Sequence, residues 1–129
     1  TNYASTAGAA GEDDVRRSGD GDVRKVTIFG TDFFWPCPSG NPYYEMIPKD
    51  VDVVVSHGPA KGFVDDGHGC PSLLEHVKRA RPRAVISGHI HSAHGCAGGG
   101  QGFEDVTFVN AANCKSGYTV GWDAVVLDI

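Results

Sequence analysis

From Val26 onward the chain alternates short aliphatic runs with polar stretches rich in glycine and proline. Val26–Gly30 (VTIFG) joins β-branched and aromatic side chains and ends in glycine, which predicts a first strand. Val51–Ser56 (VDVVVS) is almost unbroken aliphatic, the pattern of a strand covered on both faces. Ala84–Ser87 (AVIS), Val106–Asn110 (VTFVN) and Ala124–Ile129 (AVVLDI) predict further strands, with a turn around Ser116 and Gly117 before the last. Between the second and third strands the period changes. Leu73, Leu74, Val77 and Ala80 fall on one helical face, Ser72 and Glu75 have capping-box spacing, and Pro82 stops the run. That helix puts His76 beside Glu75 on its polar face. Lys78, Arg79 and Arg81 fall at its C-terminal end, where cations complement the helix dipole.

The remaining segments have a different character. Residues 1–25 carry Ala, Gly, Asp, Ser and Arg with only Val15 and Val23 as aliphatic anchors, so they are expected to be a flexible lead-in. Asp32–Asp50 reads as a long loop, with Phe33, Phe34, Trp35, Tyr43 and Tyr44 among several prolines, and is expected to form a flap over the sheet. Strand, helix and strand in the middle with strands at the end make an α/β fold. At 129 residues and 40% hydrophobic the chain can build one packed core. No apolar run approaches the ~18 residues of a membrane span. The net charge of −5 argues against a nucleic-acid duplex as partner. Four cysteines without a Cys-x-x-Cys pair favour free thiols and a reducing intracellular compartment.

Glycine and histidine carry the chemistry. Glycine makes up 18 of the 129 residues, about twice its usual ~7% share. Gly58, Gly67, Gly69, Gly88 and Gly95 each adjoin a histidine. Two predicted strands end alike, Val55-Ser56-His57-Gly58 and Ile86-Ser87-Gly88-His89-Ile90-His91. Parallel strands joined by a helix have their C-terminal ends on one edge of the sheet, where open α/β sheets bind ligands. His57, His89 and His91 therefore reach one rim, and neutral imidazoles gathered there form a candidate site for a divalent metal. His68 and Asp66, in the loop after His57, could line a substrate pocket or only make a solvated turn. Asn110 and Asn113 could contact the site or only make the turn after their strand.

Val51–His57 with Gly58-Pro59, then Gly88-His89-Ile90-His91, resembles the C-terminal half of the calcineurin-like metallophosphoesterases. HGPAKGFVDDGHGCPSLL, GHIHSAHG and FVNAANC are closest to the small metallophosphoesterase-domain-containing branch. The resemblance spans residues 26–129. It implies the C-terminal half of a four-layer α/β/β/α sandwich that hydrolyses phosphodiesters or phosphomonoesters with two divalent ions (Mn, Fe or Zn). By that resemblance His57 and His89 share one ion and His91 holds its neighbour; His68 and Asn113 stay the candidate substrate contacts read from the loops themselves.

The family's N-terminal motifs, Asp-x-His, Gly-Asp-x-x-Asp and Gly-Asn-His, are not found upstream of Val26. Gly40-Asn41 is followed by Pro42, and Asp66-Gly67-His68 lies in the wrong loop. The chain is therefore expected to be half of a domain and inactive alone, because three neutral imidazoles do not balance two dications. The alternative is a non-catalytic subunit that docks its uncovered sheet face on a protein partner. His89-Ile90-His91-Ser92-Ala93-His94 also approximates the metallo-β-lactamase pattern, but Ala93 stands where that pattern needs Asp. His94 and Cys96 could join His89 and His91 in a structural zinc site, although ligands crowded on one loop make a poor tetrahedron.

Overall fold

The structure is a computed structural model that describes residues 24–100, 102–115 and 118–129. It contains one mixed five-stranded sheet. In chain order the elements are β1 (Ile28–Thr31), α1 (Pro42–Glu45), β2 (Val53–Ser56), α2 (Pro71–Ala80), β3 (Ala84–Ser87), β4 (Gly95–Gly98) and β5 (Thr107–Asn110). A 3-10 turn, His91–Ala93, follows β3. The strand order is β1-β2-β3-β5-β4, with β1, β2, β3 and β5 parallel and β4 antiparallel on the edge. The α/β expectation is borne out, and β3 runs over the residues the pattern marks.

The register builds the core. Phe29 pairs with Val54, Val54 with Val85, and Val85 with Phe108, so one row of apolar side chains crosses four strands on the same face. Leu73, Val77 and Ala80 of α2 join that row in the main buried cluster, with Tyr44 and Ile47 from the α1 region. Full burial of a side chain such as Leu73 or Val77 contributes roughly 1.5–3 kcal/mol. Phe63 stacks on Phe108 at 3.9 Å between ring centroids, and Phe103 meets both rings edge-on. The opposite face is less covered: Ile28 is 67% and Val55 39% exposed.

Several sequence expectations are corrected. The Asp32–Asp50 loop contains α1, capped by the Asn41 side chain, which accepts from the Tyr43 N–H, with Pro42 at the first position. Tyr44 is core rather than flap, with Phe33 and Phe34 half-buried against the same cluster: Tyr44 is fully buried and its hydroxyl accepts from the Phe34 N–H at 2.9 Å. Helix α2 is capped by Cys70, not Ser72, because Pro71 takes the first helical position and Ser72 instead accepts the Asn41 N–H in the buried α1–α2 contact. That contact also buries His76, whose ring packs near Tyr44 and whose Nδ1 lies 2.7 Å from the Ser72 carbonyl. Ala124–Ile129 forms no strand. It pairs with neither edge of the sheet, and Val126 is 88% exposed.

The four cysteines are free. No described helix is long and apolar enough to cross a membrane. Residues 1–23 of the expected lead-in and the Ser116–Gly117 turn lie outside the described residues. Arg24, at the end of that lead-in, pairs with Asp52 at 2.8 Å.

Candidate metal centre

Helix α2 carries the chain from the end of β2 back to the start of β3. The C-terminal ends of these parallel strands therefore lie side by side. His57 follows β2 and His89 follows β3, and their rings meet. His57 Nε2 is 3.0 Å from His89 Nδ1, with ring centroids 4.7 Å apart. Gly88 N–H donates to the His57 carbonyl at 3.0 Å, tying the two turns together.

His89 has φ of 68°, and the Ile90 N–H donates across it to the Gly88 carbonyl at 2.8 Å. A side chain beyond glycine in this region costs on the order of 1–3 kcal/mol and persists only where its surroundings over-determine it. Asn110 supplies much of that constraint. It is 0% exposed at the end of β5, and its Nδ2 donates to the Ile90 carbonyl at 2.9 Å and the Val64 carbonyl at 3.0 Å. Its Oδ1 accepts from the Ala112 N–H at 3.1 Å. One buried amide thus pins the Gly-His-x-His turn, the loop after β2 and the exit from β5. Sequence reading left Asn110 between site and turn, and its burial decides for a positioning role.

His57 and His89 line a cavity of about 330 Å³ with Phe33, Trp35, His68 and Ile90. Phe33 lies 5.6 Å from the His89 ring and Trp35 lies 6.5 Å from the His68 ring, centroid to centroid. Gly58 makes room for this wall, because a Cβ there would sit 2.5 Å from the Phe33 ring. Burial, then the nearby His57 and His91, lower the pKa of His89 and keep its imidazole neutral.

His91 is one turn further on and lines a different cavity, about 480 Å³, with Ser92, Lys115 and Trp122. Its ring meets Tyr118 edge-on at 5.5 Å. Of the three histidines expected at this rim, two have rings in contact, and His91 lies near His89 but lines the neighbouring cavity. Ser92 hydroxyl donates to Asp66 Oδ2 at 2.7 Å, which joins the His68 loop to this turn. Asn113 sits at the base of the C-terminal loop, where its carbonyl accepts the Gly121 and Trp122 N–H groups. His94 does not join Cys96 in a zinc cluster: its Nδ1 lies 2.9 Å from the Ala112 carbonyl and its ring stacks on Trp122.

The donor chemistry fits part of a metal site. Adjacent ligands about 2.1 Å from one ion stand roughly 3.0–3.4 Å apart, and the two facing nitrogens of His57 and His89 have that spacing. Among the described residues, no three His, Cys, Asp or Glu side chains are arranged to hold an ion. The pair is two ligands of a larger set.

No family model matches the chain. It is 32% identical over 122 residues to a UPF0046 protein of Caenorhabditis elegans, covering 81% of this chain and 41% of that protein. Metallophosphoesterase domain-containing protein 1 of Homo sapiens is 34% identical over 93 residues, which is 67% of this chain and 27% of the relative. A second UPF0046 protein of Caenorhabditis elegans is 33% identical over 96 residues, covering 67% of this chain and 33% of the relative. The chain spans less than half the length of each of these relatives.

Proposed function

The chain belongs with a metallophosphoesterase-like family, and on that premise we propose that it supplies the C-terminal ligand set of a metal-dependent phosphoesterase. In this reading residues 26–129 are the C-terminal half of a four-layer α/β/β/α sandwich, and residues 1–25 lead into it. The exposed Ile28 and Val55 suit a sheet face made to be covered by the other half. His57 Nε2 and His89 Nδ1 hold one divalent ion, and His91 holds the second from the neighbouring cavity. Those ions (Mn, Fe or Zn) would supply Lewis acidity and an activated water for attack at phosphorus.

The chain's own residues do the rest. Burial keeps His89 neutral, so its nitrogen lone pair is available to a metal. Phe33 and Trp35 exclude water from one side of the His57–His89 cavity, and His68 offers a ring N–H to a phosphoryl oxygen or to the ester substituent. Asn113 acts in this reading through the loop it closes beside substrate. Without a carboxylate bridge the chain alone does not balance two dications, so it is inactive until the domain is completed.

The observation that carries the reading is the 3.0 Å approach of two imidazole nitrogens from parallel strand ends. Metal analysis of the full chain after dialysis against Mn, Fe or Zn tests it. Bound metal should fall in His57→Ala and in His89→Ala while both variants keep the wild-type circular dichroism spectrum. Equal metal content in wild type and both variants overturns it.

The second reading, a non-catalytic subunit docked through its sheet, is favoured by the same uncovered Ile28 and Val55. It predicts that the wild-type chain holds no stoichiometric metal.

A further inference from the structure

The cavity beside His91 contains a cation that the metal reading does not use. Lys115 Nζ sits 4.5 Å from the centroid of the Trp122 ring, in cation–π contact. Among the described residues Lys115 makes no ion pair, while Arg24 and Arg81 each have a carboxylate partner.

Its position is built by the surrounding loop. Lys115 N–H donates to the Thr119 carbonyl at 2.7 Å, and Cys114 bridges Val120 in antiparallel fashion. The Gly121 and Trp122 N–H groups close the loop on the Asn113 carbonyl. The lysine stem lies across Gly121, where a Cβ would come within 2.4 Å of the Lys115 Cδ. Trp122 is held in turn by His94, stacked at 5.4 Å and within 2° of parallel, and His94 is anchored on the Ala112 carbonyl. A carbonyl, an imidazole, an indole and an ammonium thus stand in series, and the last faces the cavity.

The polar lining suits an anion. His91 offers a ring nitrogen and Lys115 offers a full charge. Ser92 brings only acceptor capacity, because its hydrogen is spent on Asp66. Asp66 itself does not line the cavity. A cation over an aromatic face and next to an imidazole recognises a compact oxyanion with several terminal oxygens. The volume of about 480 Å³ takes a phosphoryl group together with its substituent.

The geometry points to this cavity as a phosphoryl-binding subsite with Lys115 as its anchoring charge. This subsite lies in the His91 cavity that the proposed function gives to the second ion; the test omits metal, so loss of phosphate binding and loss of metal binding are read separately. Inorganic phosphate is titrated at constant ionic strength into the chelator-treated full chain. Binding is followed by Trp122 fluorescence in a Trp35→Phe background. Saturable binding in the millimolar range is expected, weakened about tenfold by Lys115→Gln and retained by Lys115→Arg, the effect of one charge-assisted contact. Gly121→Ala should weaken it as well, by displacing the lysine stem, at an unchanged thermal midpoint. Equal phosphate affinity in wild type and Lys115→Gln overturns the inference, as does the lack of any saturable change up to about 50 mM phosphate.

Discussion

Asn110→Ala is expected to be among the most damaging single changes at the strand ends, although it removes no cavity-lining side chain. The wild-type amide satisfies three backbone groups at once: the Val64 carbonyl, the Ile90 carbonyl and the Ala112 N–H. A net value of about 1 kcal/mol for each hydrogen bond predicts a loss of roughly 3 kcal/mol, and more where a buried group is left without a partner. For a domain whose total stability is on the order of 5–15 kcal/mol that is a large fraction. Asn110→Asp separates hydrogen bonding from packing. It preserves shape and the acceptor for Ala112, but sets a carboxylate oxygen against two carbonyls in a buried site. It should destabilise at least as much as alanine at pH 7 and recover partly when the new carboxyl protonates. Urea unfolding followed by circular dichroism measures both, and hydrogen exchange at the Ala112 amide reads the local effect. A loss below about 0.5 kcal/mol in Asn110→Ala, within the range of an ordinary surface substitution, would refute the reasoning.

Two further outcomes follow from buried polar groups elsewhere. Asp65 is buried, which works to raise its pKa. The N–H groups of Gly62, Gly69 and Gly67, with the Lys61 charge, outweigh burial and bring it below the ordinary carboxylate value. A lowered folded pKa stabilises above the unfolded value of ~3.9, and that stabilisation is lost as pH falls through the folded one. Asp65→Asn should therefore be less stable than wild type at pH 7 and lose less stability between pH ~5 and ~2.5; parallel urea-derived pH profiles would contradict this. Ser56, at the end of β2, buries a hydroxyl with no partner among the described residues. Ser56→Ala should raise stability by up to about 1 kcal/mol, and a loss of that size in thermal denaturation would mean the hydroxyl is satisfied.

The parallel half of the sheet was legible because two local patterns agree with one topological rule. A β-branched run, an amphipathic helix and a second β-branched run leave little choice but parallel strands with adjacent C-terminal ends, so His57 and His89 meet. What followed those ends was not legible. The separation of His91 from the pair depends on one positive φ at His89 and one 3-10 turn, neither of which glycine spacing encodes. The signal for α1 was present in Asn41-Pro42, a capping residue before a first-turn proline, and it was masked by the surrounding prolines. His76 reads as surface on its own helix. It is buried because α1, 30 residues earlier, packs over that side of α2. The Lys115–Trp122–His94 series joins residues from two loops and leaves no periodic trace.

The site edge also follows from how the sheet ends. On the face that carries Phe29, Val54, Val85 and Phe108, the next position along each strand is Thr31, Ser56, Ser87 and Asn110. The apolar row gives way to a polar one where the strands finish, beneath the histidine-bearing turns. Three members have short side chains, and Ser87 reaches no further than the Val109 carbonyl of the adjacent strand. Asn110 alone is long enough to bond two loops. Strain at His89 is therefore offset from the scaffold side, by an amide rooted in β5. The His57–His89 pair thus rests on the ends of the sheet, whereas His91 and Lys115 are carried by the turns beyond it.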